Sequence, residues 1–311
     1  MRKIVCFLVA ICLFCSLFGC SLAVENKEGL QIVCSVFPQY DFLRALTKGA
    51  NVSLSLLLRP GQESHDFDPS SQDIASIHTC DLFVYVGGES DSWIDKALTS
   101  VDVRDKTVLK LMDMVQPLSE EHGHDHGHGE HHAHEEAYDE HVWTSPQKAA
   151  HIADKLTSAL CTQDPANAPL YRQNAKAYTA QLYALDTAFE QVVNHARRNV
   201  MVVADRFPLL YFTERYGLSH HAAFAGCASS VEPASADVFA LINTVKAENI
   251  PVIFQMELSA GTVAGAVKEN TGCAVRTFYA CHNISKTDFE NGETYLSLMQ
   301  KNLSALKEAL N

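Results

Sequence analysis

Two similar series of apolar β-type segments, alternating with helical segments, most constrain the fold of this chain. The first series has helical patterns at residues 40–47, 71–78 and 93–98, and strand patterns at residues 32–37, 52–58, 81–87 and 107–111. The second has helical patterns at residues 209–216, 236–248, 261–270 and 294–310, and strand patterns at residues 200–204, 218–224, 252–255 and 274–278. Strands that alternate with helices predict a parallel sheet covered by helices. We therefore predict an α/β fold with two (β/α) lobes.

One long helical stretch separates the two series. Residues 169–198 contain no glycine and no proline after Pro169, and apolar side chains recur at roughly helical spacing. Thirty helical residues would span about 45 Å, enough to run the length of a two-lobed protein. Before it, Ser145 and Pro146 are typical of the N-cap and first turn of a helix over residues 147–160. We predict lobes at residues 30–163 and 200–311, joined by a rigid helix within residues 164–199.

The first nineteen residues are typical of a secretory signal. Arg2 and Lys3 precede an apolar run over residues 4–18, which is too short for a mature transmembrane helix. The sequence Leu17-Phe18-Gly19-Cys20 resembles the bacterial lipobox, in which the cysteine becomes the lipidated first residue. We expect Cys20 to carry the lipid and residues 20–29 to form a tether. These features predict a membrane-anchored extracytoplasmic lipoprotein, on the cell surface or in the periplasm.

Charge and cysteine content narrow the classes of function. The chain has 24 Lys+Arg against 37 Asp+Glu, a net charge of −13, so nucleic acid is excluded as a partner. Four of the ten cysteines lie within the first twenty residues, and the other six permit up to three disulfides: Cys34, Cys80, Cys161, Cys227, Cys273 and Cys281. None of these forms a C-x-x-C zinc motif. Cys34 and Cys161 could equally be buried thiols.

Residues 119–140 hold seven histidines among eight carboxylates. Such a segment has almost nothing apolar to bury and cannot fold alone. Imidazole and carboxylate are ligands that borderline cations such as Zn(II) prefer, so this His-rich segment predicts low-affinity metal collection. The alternative is a solvated acidic loop with incidental histidines. The collecting residues would be His122, His124, His126, His128, His131, His132 and His134.

Two further histidines lie in loops where a ligand site is expected. Open parallel sheets bind ligands outside the carboxyl ends of their strands. His65 lies within residues 59–73, directly after the predicted strand that ends at Leu58, and His141 lies in the last loop before the helix at residues 147–160. A lone loop histidine is usually a surface residue. Two of them, with a His-rich segment leading into His141, favour metal ligands.

Several motifs carry a resemblance to a known family. They are P-G-Q-E-S-H-D-F-D-P-S, D-L-F-V-Y-V-G-G, D-E-H-V-W-T-S-P and the late Y-L-S-L-M-Q-K-N-L-S-A-L, together with the lipobox. Together they resemble the zinc and manganese solute-binding lipoproteins of ABC importers, the cluster A-I or metal-receptor group, over nearly the whole mature chain. The resemblance implies that His65 and His141 are metal ligands. It also implies two lobes joined by one long helix with the metal between them, and a permease and its ATPase as partners. We expect a monomer.

The second lobe departs from the pattern of that family. Most members have a third histidine in an H-D-A-F-type segment, where this chain has V-V-A-D-R-F. Asp205 is the leading replacement, with an N-cap or a salt bridge to Arg206 as the alternative. The last family ligand is a carboxylate, whereas the corresponding turn here offers His282, which could instead be a hydrogen-bonding loop residue. Glu257 follows the end of another predicted strand. It is expected either to bind the metal or to contact a residue that does.

These candidates predict a site of two to three imidazoles and one or two carboxylates. Such a site suits Zn(II), with Mn(II) as the weaker alternative. A disulfide between Cys227 and Cys281 would fix the ligand loop. His220 and His221 fall on a predicted strand and are expected to be a packing and surface pair.

The predicted function is capture of a divalent metal, most simply zinc, and its delivery to an ABC importer. The chain is not expected to be an enzyme, because a zinc hydrolase needs an open coordination position and a base, and no H-E-x-x-H motif occurs. A manganese receptor of the same type and a metal-storing adhesin lipoprotein are the alternatives.

Overall fold

Two four-stranded parallel sheets form the two lobes in the computed structural model, which describes residues 29–63, 67–101, 103–119, 138–224 and 233–311. The first sheet has the order β2-β1-β3-β4, with β1 at Leu30–Cys34, β2 at Val52–Leu56, β3 at Leu82–Tyr85 and β4 at Thr107–Lys110. The second has the order β6-β5-β7-β8, with β5 at Val200–Val203, β6 at Ser219–Ala222, β7 at Val252–Met256 and β8 at Ala274–Phe278. The two sheets share one topology, and the predicted fold class is confirmed.

Helices follow the strands in both lobes. Those of the first lobe are α1 (Phe37–Leu46), α2 (Ser71–Thr79), α3 (Ser92–Ser100) and α4 (Pro146–Gln163). After the connecting helix α5 (Ala168–Asn194), the second lobe has α6 (Leu210–Tyr216), α7 (Ser235–Ala247), α8 (Thr262–Thr271), α9 (Lys286–Glu290) and α10 (Tyr295–Leu310). Each predicted helix is present. The five-residue helix α9 was not predicted, because so short an element shows no apolar period.

Helix α5 is bonded to both lobes. Its 27 residues span about 40 Å. Near its start, Asn174 donates through Nδ2 to the carbonyl oxygens of Leu46 and Lys48 in the first lobe, each at 2.9 Å. Near its end, Asp186 accepts two hydrogen bonds from Arg215 of α6, at 3.0 and 2.6 Å. A single unbroken helix therefore fixes the spacing of the lobes.

The predicted end of α5 was wrong by four residues. The helix ends at Asn194, whereas the sequence pattern extended it to Arg198. The backbone N–H groups of Arg197 and Arg198 instead donate to the carbonyl oxygen of Leu310, at 3.0 and 3.2 Å. A tertiary contact with Leu310 thus replaces the last predicted turn of the helix. Helix propensity is a local property of the sequence and cannot predict such a contact.

The lobes share one apolar core. Its largest cluster contains fully buried side chains of both lobes, including Phe42, Trp143 and Phe254. Hydrogen bonds also cross the junction: the backbone N–H of Tyr295 donates to Asp41 at 2.8 Å, and the Tyr295 hydroxyl donates to the carbonyl oxygen of Trp143 at 2.7 Å. The junction is therefore packed like the interior of a domain.

The edge strand β6 carries the two adjacent histidines. The ring of His220 stacks on Phe207, with centroids 3.7 Å apart, and His221 lies 3.6 Å from a carboxylate oxygen of Glu248. They are a packing and surface pair, as predicted. Among the helices that the structure describes, none has the length and apolar character needed to cross a bilayer.

Candidate metal centre

Three side chains with metal-binding chemistry meet in the cleft between the lobes. One donor atom from each of Glu140, His141 and His282 lies within 4.8 Å of the other two, and all three residues are buried. The imidazole rings of His141 and His282 meet edge to face, with centroids 5.1 Å apart. Two histidines separated by 141 positions in the sequence thus come together.

His141 is held by its own neighbours in the loop before α4. Its backbone N–H donates to Oδ1 of Asp139 at 2.7 Å, and its Nδ1 lies 3.3 Å from the same oxygen. Thr144 donates to the carbonyl oxygen of His141 through its backbone N–H and its hydroxyl, at 3.1 and 2.9 Å. A carboxylate at Nδ1 selects the tautomer that leaves Nε2 as the ligand atom.

His282 lies in the loop that follows β8. The preceding residue, Cys281, has φ of 59°, a left-handed conformation that is uncommon for a residue with a side chain. Two bonds fix the adjacent Ala280: its carbonyl oxygen accepts from Nε1 of Trp143 at 2.8 Å, and its N–H donates to Glu257 at 2.9 Å. The loop is therefore anchored to both lobes directly before its histidine.

Glu140 was not singled out from the sequence. It counted there as one carboxylate of the His-rich segment, although its position directly before His141 was a usable signal. Its carboxylate accepts hydrogen bonds from the backbone N–H of Ser90, at 3.1 Å, and from the Ser90 hydroxyl. A Cβ atom at Gly88 would collide with its side chain, so this close approach requires glycine there.

A cavity of about 460 Å³ extends from the two imidazoles into the second lobe. Asp205, which follows β5, lines it, and its assignment as a ligand stays a prediction. Its carboxylate accepts the N–H groups of Arg206, at 2.8 Å, and Met256, at 3.2 Å. It lies outside the group of three donors that approach within 4.8 Å of one another.

Glu257 lines the same cavity after β7. Burial raises the pKa of its carboxyl to about 7, and the nearby Glu63 acts in the same direction. Backbone N–H groups, including those of Ala280 and Cys281, oppose that rise by stabilising the carboxylate. Glu257 therefore contacts the loop that carries His282, and it also lies outside the close group of donors.

Several predicted residues lie outside the described residues. These are Cys20, His65, Cys227 and the seven collecting histidines of the His-rich segment. Their assignments stay predictions. Cys34, Cys80, Cys273 and Cys281 are buried, Cys161 is half-buried, and no disulfide joins two of these described cysteines. Burial raises the pKa of Cys281 well above its ordinary value. The pairing of Cys281 with Cys227 also stays a prediction.

The described ends of the His-rich segment lie beside the cleft. Ser119 and Tyr138 form an antiparallel bridge, and the N–H of Asp139 donates to the carbonyl oxygen of Leu118 at 3.0 Å. The Tyr211 hydroxyl of α6 accepts from the N–H of Leu118, at 3.0 Å, and donates to the carbonyl oxygen of Asp139, at 2.9 Å. The segment therefore begins and ends within a few residues of His141.

Known proteins with similar sequences bind zinc or take it up, according to their names. The chain is 31% identical to the zinc-binding lipoprotein AdcA of Streptococcus pneumoniae serotype 4 over 310 residues, which is 99% of this chain and 61% of that protein. It therefore spans about three fifths of the length of that relative. It is also 31% identical to the high-affinity zinc uptake system protein ZnuA of Bacillus subtilis, over 98% of this chain and 95% of that protein.

A solved structure and a family model agree with these relatives. The Zn(II)-bound ZnuA-like domain of Streptococcus pneumoniae AdcA superposes with a TM-score of 0.75 at 26% identity, covering 91% of this chain and 99% of that one. The model of the family described as zinc-uptake complex component A, periplasmic (ZnuA), matches residues 32–309. The chain therefore belongs to the ZnuA family.

Proposed function

We propose that this chain is an extracytoplasmic receptor that binds Zn(II) with high affinity and delivers it to an ABC importer. The observation that carries the proposal is the meeting of His141 and His282, one from each lobe, at a ring separation of 5.1 Å in a buried cleft. Relatives named for zinc binding and zinc uptake support the choice of ion. The family description as an uptake component supports a receptor rather than a zinc hydrolase.

His141 and His282 supply two imidazoles of the proposed site, and His65 supplies the third. His65 follows Gln62 by three positions, and Gln62 and Glu63 line the cavity that the other two histidines enter. Asp205 is the proposed fourth ligand. Glu140 is the alternative carboxylate, and its bonds with Ser90 are those of a group that orients the site. Three neutral imidazole nitrogens and one carboxylate oxygen form a set of four ligands that suits tetrahedral Zn(II).

Manganese is the alternative cargo. Mn(II) prefers oxygen ligands and six-coordination, whereas this cleft brings nitrogen donors together. The carboxylates Asp205 and Glu257 would both have to join the imidazoles for a manganese site. Because zinc binds most such sites more tightly than manganese does, uptake separates the two cargoes and affinity does not. We expect added zinc, and not added manganese, to restore growth of a strain that lacks the protein.

To deliver zinc, the receptor must be attached to the membrane and must dock on the proteins that carry the ion across it. We propose that Cys20 is lipidated and that residues 20–29 tether the lobes to the membrane, in line with the lipoprotein name of the pneumococcal relative. The partners are a permease and its ATPase, and the receptor acts as a monomer. The docked permease must favour an arrangement of the site that binds the ion less well.

The His-rich segment is proposed to raise the local supply of zinc. Its described ends lie beside His141, so ions held on its imidazoles are released close to the cleft. Its capacity falls as the imidazoles protonate below about pH 6.5. This collecting function is separate from the high-affinity site.

The test is a zinc titration of the mature chain against a competing chelator, with His141→Ala and His282→Ala variants. We expect each substitution to weaken zinc binding by more than the roughly 10–100-fold that loss of an outer-shell partner costs. His151→Ala is the matched control, because this histidine lies exposed on α4. Unchanged affinity in both cleft variants would overturn the proposal.

A further inference from the structure

The indole ring of Trp143 packs against both histidines of the cleft. Its centroid lies 5.5 Å from that of His141, at an interplanar angle of 63°, and 5.3 Å from that of His282, at 67°. The two imidazoles lie 5.1 Å apart at 77°. Each of the three rings therefore meets the other two edge to face, which is one of the arrangements that aromatic pairs prefer.

This three-ring cluster joins the two lobes. Trp143 and His141 belong to the first lobe, directly before α4, whereas His282 belongs to the second-lobe loop after β8. Trp143 is fully buried, and His141 and His282 are 1% and 9% exposed. One first-lobe side chain thus contacts an imidazole from each lobe inside the protein.

Two hydrogen bonds hold Trp143 in place. Its Nε1 donates to the carbonyl oxygen of Ala280 at 2.8 Å, and its own carbonyl oxygen accepts from the Tyr295 hydroxyl at 2.7 Å. Both partners belong to the second lobe. Because the indole cannot rotate without breaking the first of these bonds, the surface that it presents to the imidazoles is fixed.

The spacing of the two imidazoles suits one zinc ion. Zinc binds imidazole nitrogens at about 2.0–2.1 Å in a tetrahedron, so two imidazoles on one ion have ring centroids about 5 Å apart. The observed separation is 5.1 Å. One nitrogen of each ring also belongs to the group of donor atoms that lie within 4.8 Å of one another. The indole therefore packs against a pair of rings that already has the spacing of a zinc site.

We propose that Trp143 is a positioning residue, whose indole holds the imidazoles of His141 and His282 at the spacing and angle that let both bind one ion. This inference rests on the proposed function, because it assumes that the two imidazoles share a zinc ion. The indole nitrogen only donates and cannot bind a metal, so Trp143 acts through the two rings.

The first experiment compares Trp143→Leu with Trp143→Phe in the mature chain. Both variants lose the N–H that bonds to Ala280, and only W143F keeps an aromatic ring beside the imidazoles. The measurements are zinc affinity by chelator competition and the visible absorption of the Co(II)-loaded protein, whose bands report the coordination geometry.

We expect W143L to weaken zinc binding about 10- to 100-fold, in the range measured for groups that orient ligands, and to change the Co(II) bands. W143F should regain most of the affinity and show the bands of the wild type. Equal losses in the two variants would assign the effect to the lost hydrogen bond and overturn the inference. Wild-type affinity and bands in W143L would overturn it as well.

Phe189→Leu is the matched control. Phe189 is also a fully buried ring, and its described ring contacts are with Phe212 and Tyr216, at 5.0 and 5.5 Å. We expect F189L to keep the zinc affinity and the Co(II) bands of the wild type. If F189L loses as much affinity as W143L, general loosening of the core explains both losses and the positioning inference fails. A wild-type chain that binds no zinc would overturn the proposed function itself.

A measurement on the wild type keeps the inference testable if W143L folds poorly. In the zinc-loaded chain, labelled at tryptophan and histidine, we expect nuclear Overhauser contacts from one indole to two imidazoles. The chain has two tryptophans, so the signals that disappear in W143F identify Trp143. A zinc-loaded chain in which Trp143 contacts neither imidazole, or only one, would contradict the inference.

Discussion

The indole N–H of Trp143 donates a hydrogen bond to the carbonyl oxygen of Ala280 at 2.8 Å, across the junction of the lobes. Trp143 lies two positions after His141, and Ala280 lies two positions before His282. Both residues are buried. The two histidine loops are therefore joined directly by a hydrogen bond between protein atoms.

Replacing Trp143 with Phe should test this junction. The variant keeps an aromatic ring and removes the N–H, which leaves the buried carbonyl oxygen of Ala280 without that donor. We expect a loss of about 1–3 kcal/mol in the free energy of unfolding, measured by denaturant titration of the metal-free chain. Trp93→Phe is the control, at a half-buried tryptophan whose ring is tilted against that of Phe67. Equal small losses in both variants would show that the hydrogen bond is unimportant.

Asp139→Asn should weaken zinc binding without removing a ligand. Asp139 Oδ1 faces Nδ1 of His141 at 3.3 Å and accepts its backbone N–H at 2.7 Å. The amide keeps an acceptor for the backbone and loses the charge that favours the metal-binding tautomer. Zinc affinity should fall about 10- to 100-fold in chelator competition. Asp154→Asn, on the exposed face of α4, should bind as the wild type does, and a wild-type affinity for D139N would refute the orienting role.

Asp91→Asn should change how stability depends on pH. Burial raises the pKa of Asp91 from 3.8 to about 6, and Glu140 adds to that rise, while N–H and O–H donors from Val86 and Ser35 oppose it. All three donors to this side chain reach the same oxygen, Oδ2, so the amide oxygen of Asn can accept them.

The direction of this pH dependence follows from the raised pKa of Asp91. The folded state binds the Asp91 proton more tightly than the unfolded state, so this group stabilises the fold below about pH 4 and loses that contribution as pH rises to about 6. A shift of about two pKa units corresponds to about 3 kcal/mol. We expect D91N to gain about that much relative to the wild type between pH 4 and pH 7, in unfolding titrations of the metal-free chain. A stability difference that is constant with pH would contradict the assignment.

Tyr211→Phe should loosen the base of the His-rich segment. The hydroxyl bridges the N–H of Leu118 and the carbonyl oxygen of Asp139, and its loss leaves both groups without that partner. We expect a destabilisation of about 1–3 kcal/mol by denaturant unfolding. Tyr183→Phe is the control, because Tyr183 is 47% exposed on α5. An unchanged stability in Y211F would mean that water replaces the hydroxyl.

Deletion of residues 120–136 should impair uptake only when zinc is scarce. The cleft keeps its ligands, so the zinc affinity of the purified variant should equal that of the wild type. Growth or zinc accumulation under chelation should fall in cells that carry the deletion. Replacing the seven histidines by asparagine keeps the length of the segment and should give the same defect. Normal growth of both strains under chelation would argue against collection.

The sequence identified the sheets and helices for a physical reason. Apolar periodicity is local, so β5, β8 and α5 could be recognised within a few residues of their bounds. His141 could be singled out because it lies in a loop directly before a helix, at the side of a parallel sheet where ligands bind. His282 was singled out by the resemblance to the metal-receptor family, which places a ligand in the corresponding turn.

The residues that orient the site could not be found in this way. Trp143 contacts Ala280 across 137 positions, and Tyr211 contacts Asp139 across 72 positions. Neither pair leaves a local pattern, because a tryptophan or tyrosine in a loop or short helix is equally common without such a bond. Glu140 was counted only as one acid of the His-rich segment, although its position directly before His141 was a signal.

The unbroken helix α5 has a consequence for how the ion leaves. A wide separation of the two lobes would have to bend helix α5, which is hydrogen-bonded to the first lobe through Asn174 and to the second through Asp186. The less costly route is a small outward shift of the loops near residues 59–63 and 280–284, with the two sheets and helix α5 unchanged. We therefore expect loaded and empty forms to differ by local loop displacements, so that a transport partner senses cargo through the contour of the cleft rim.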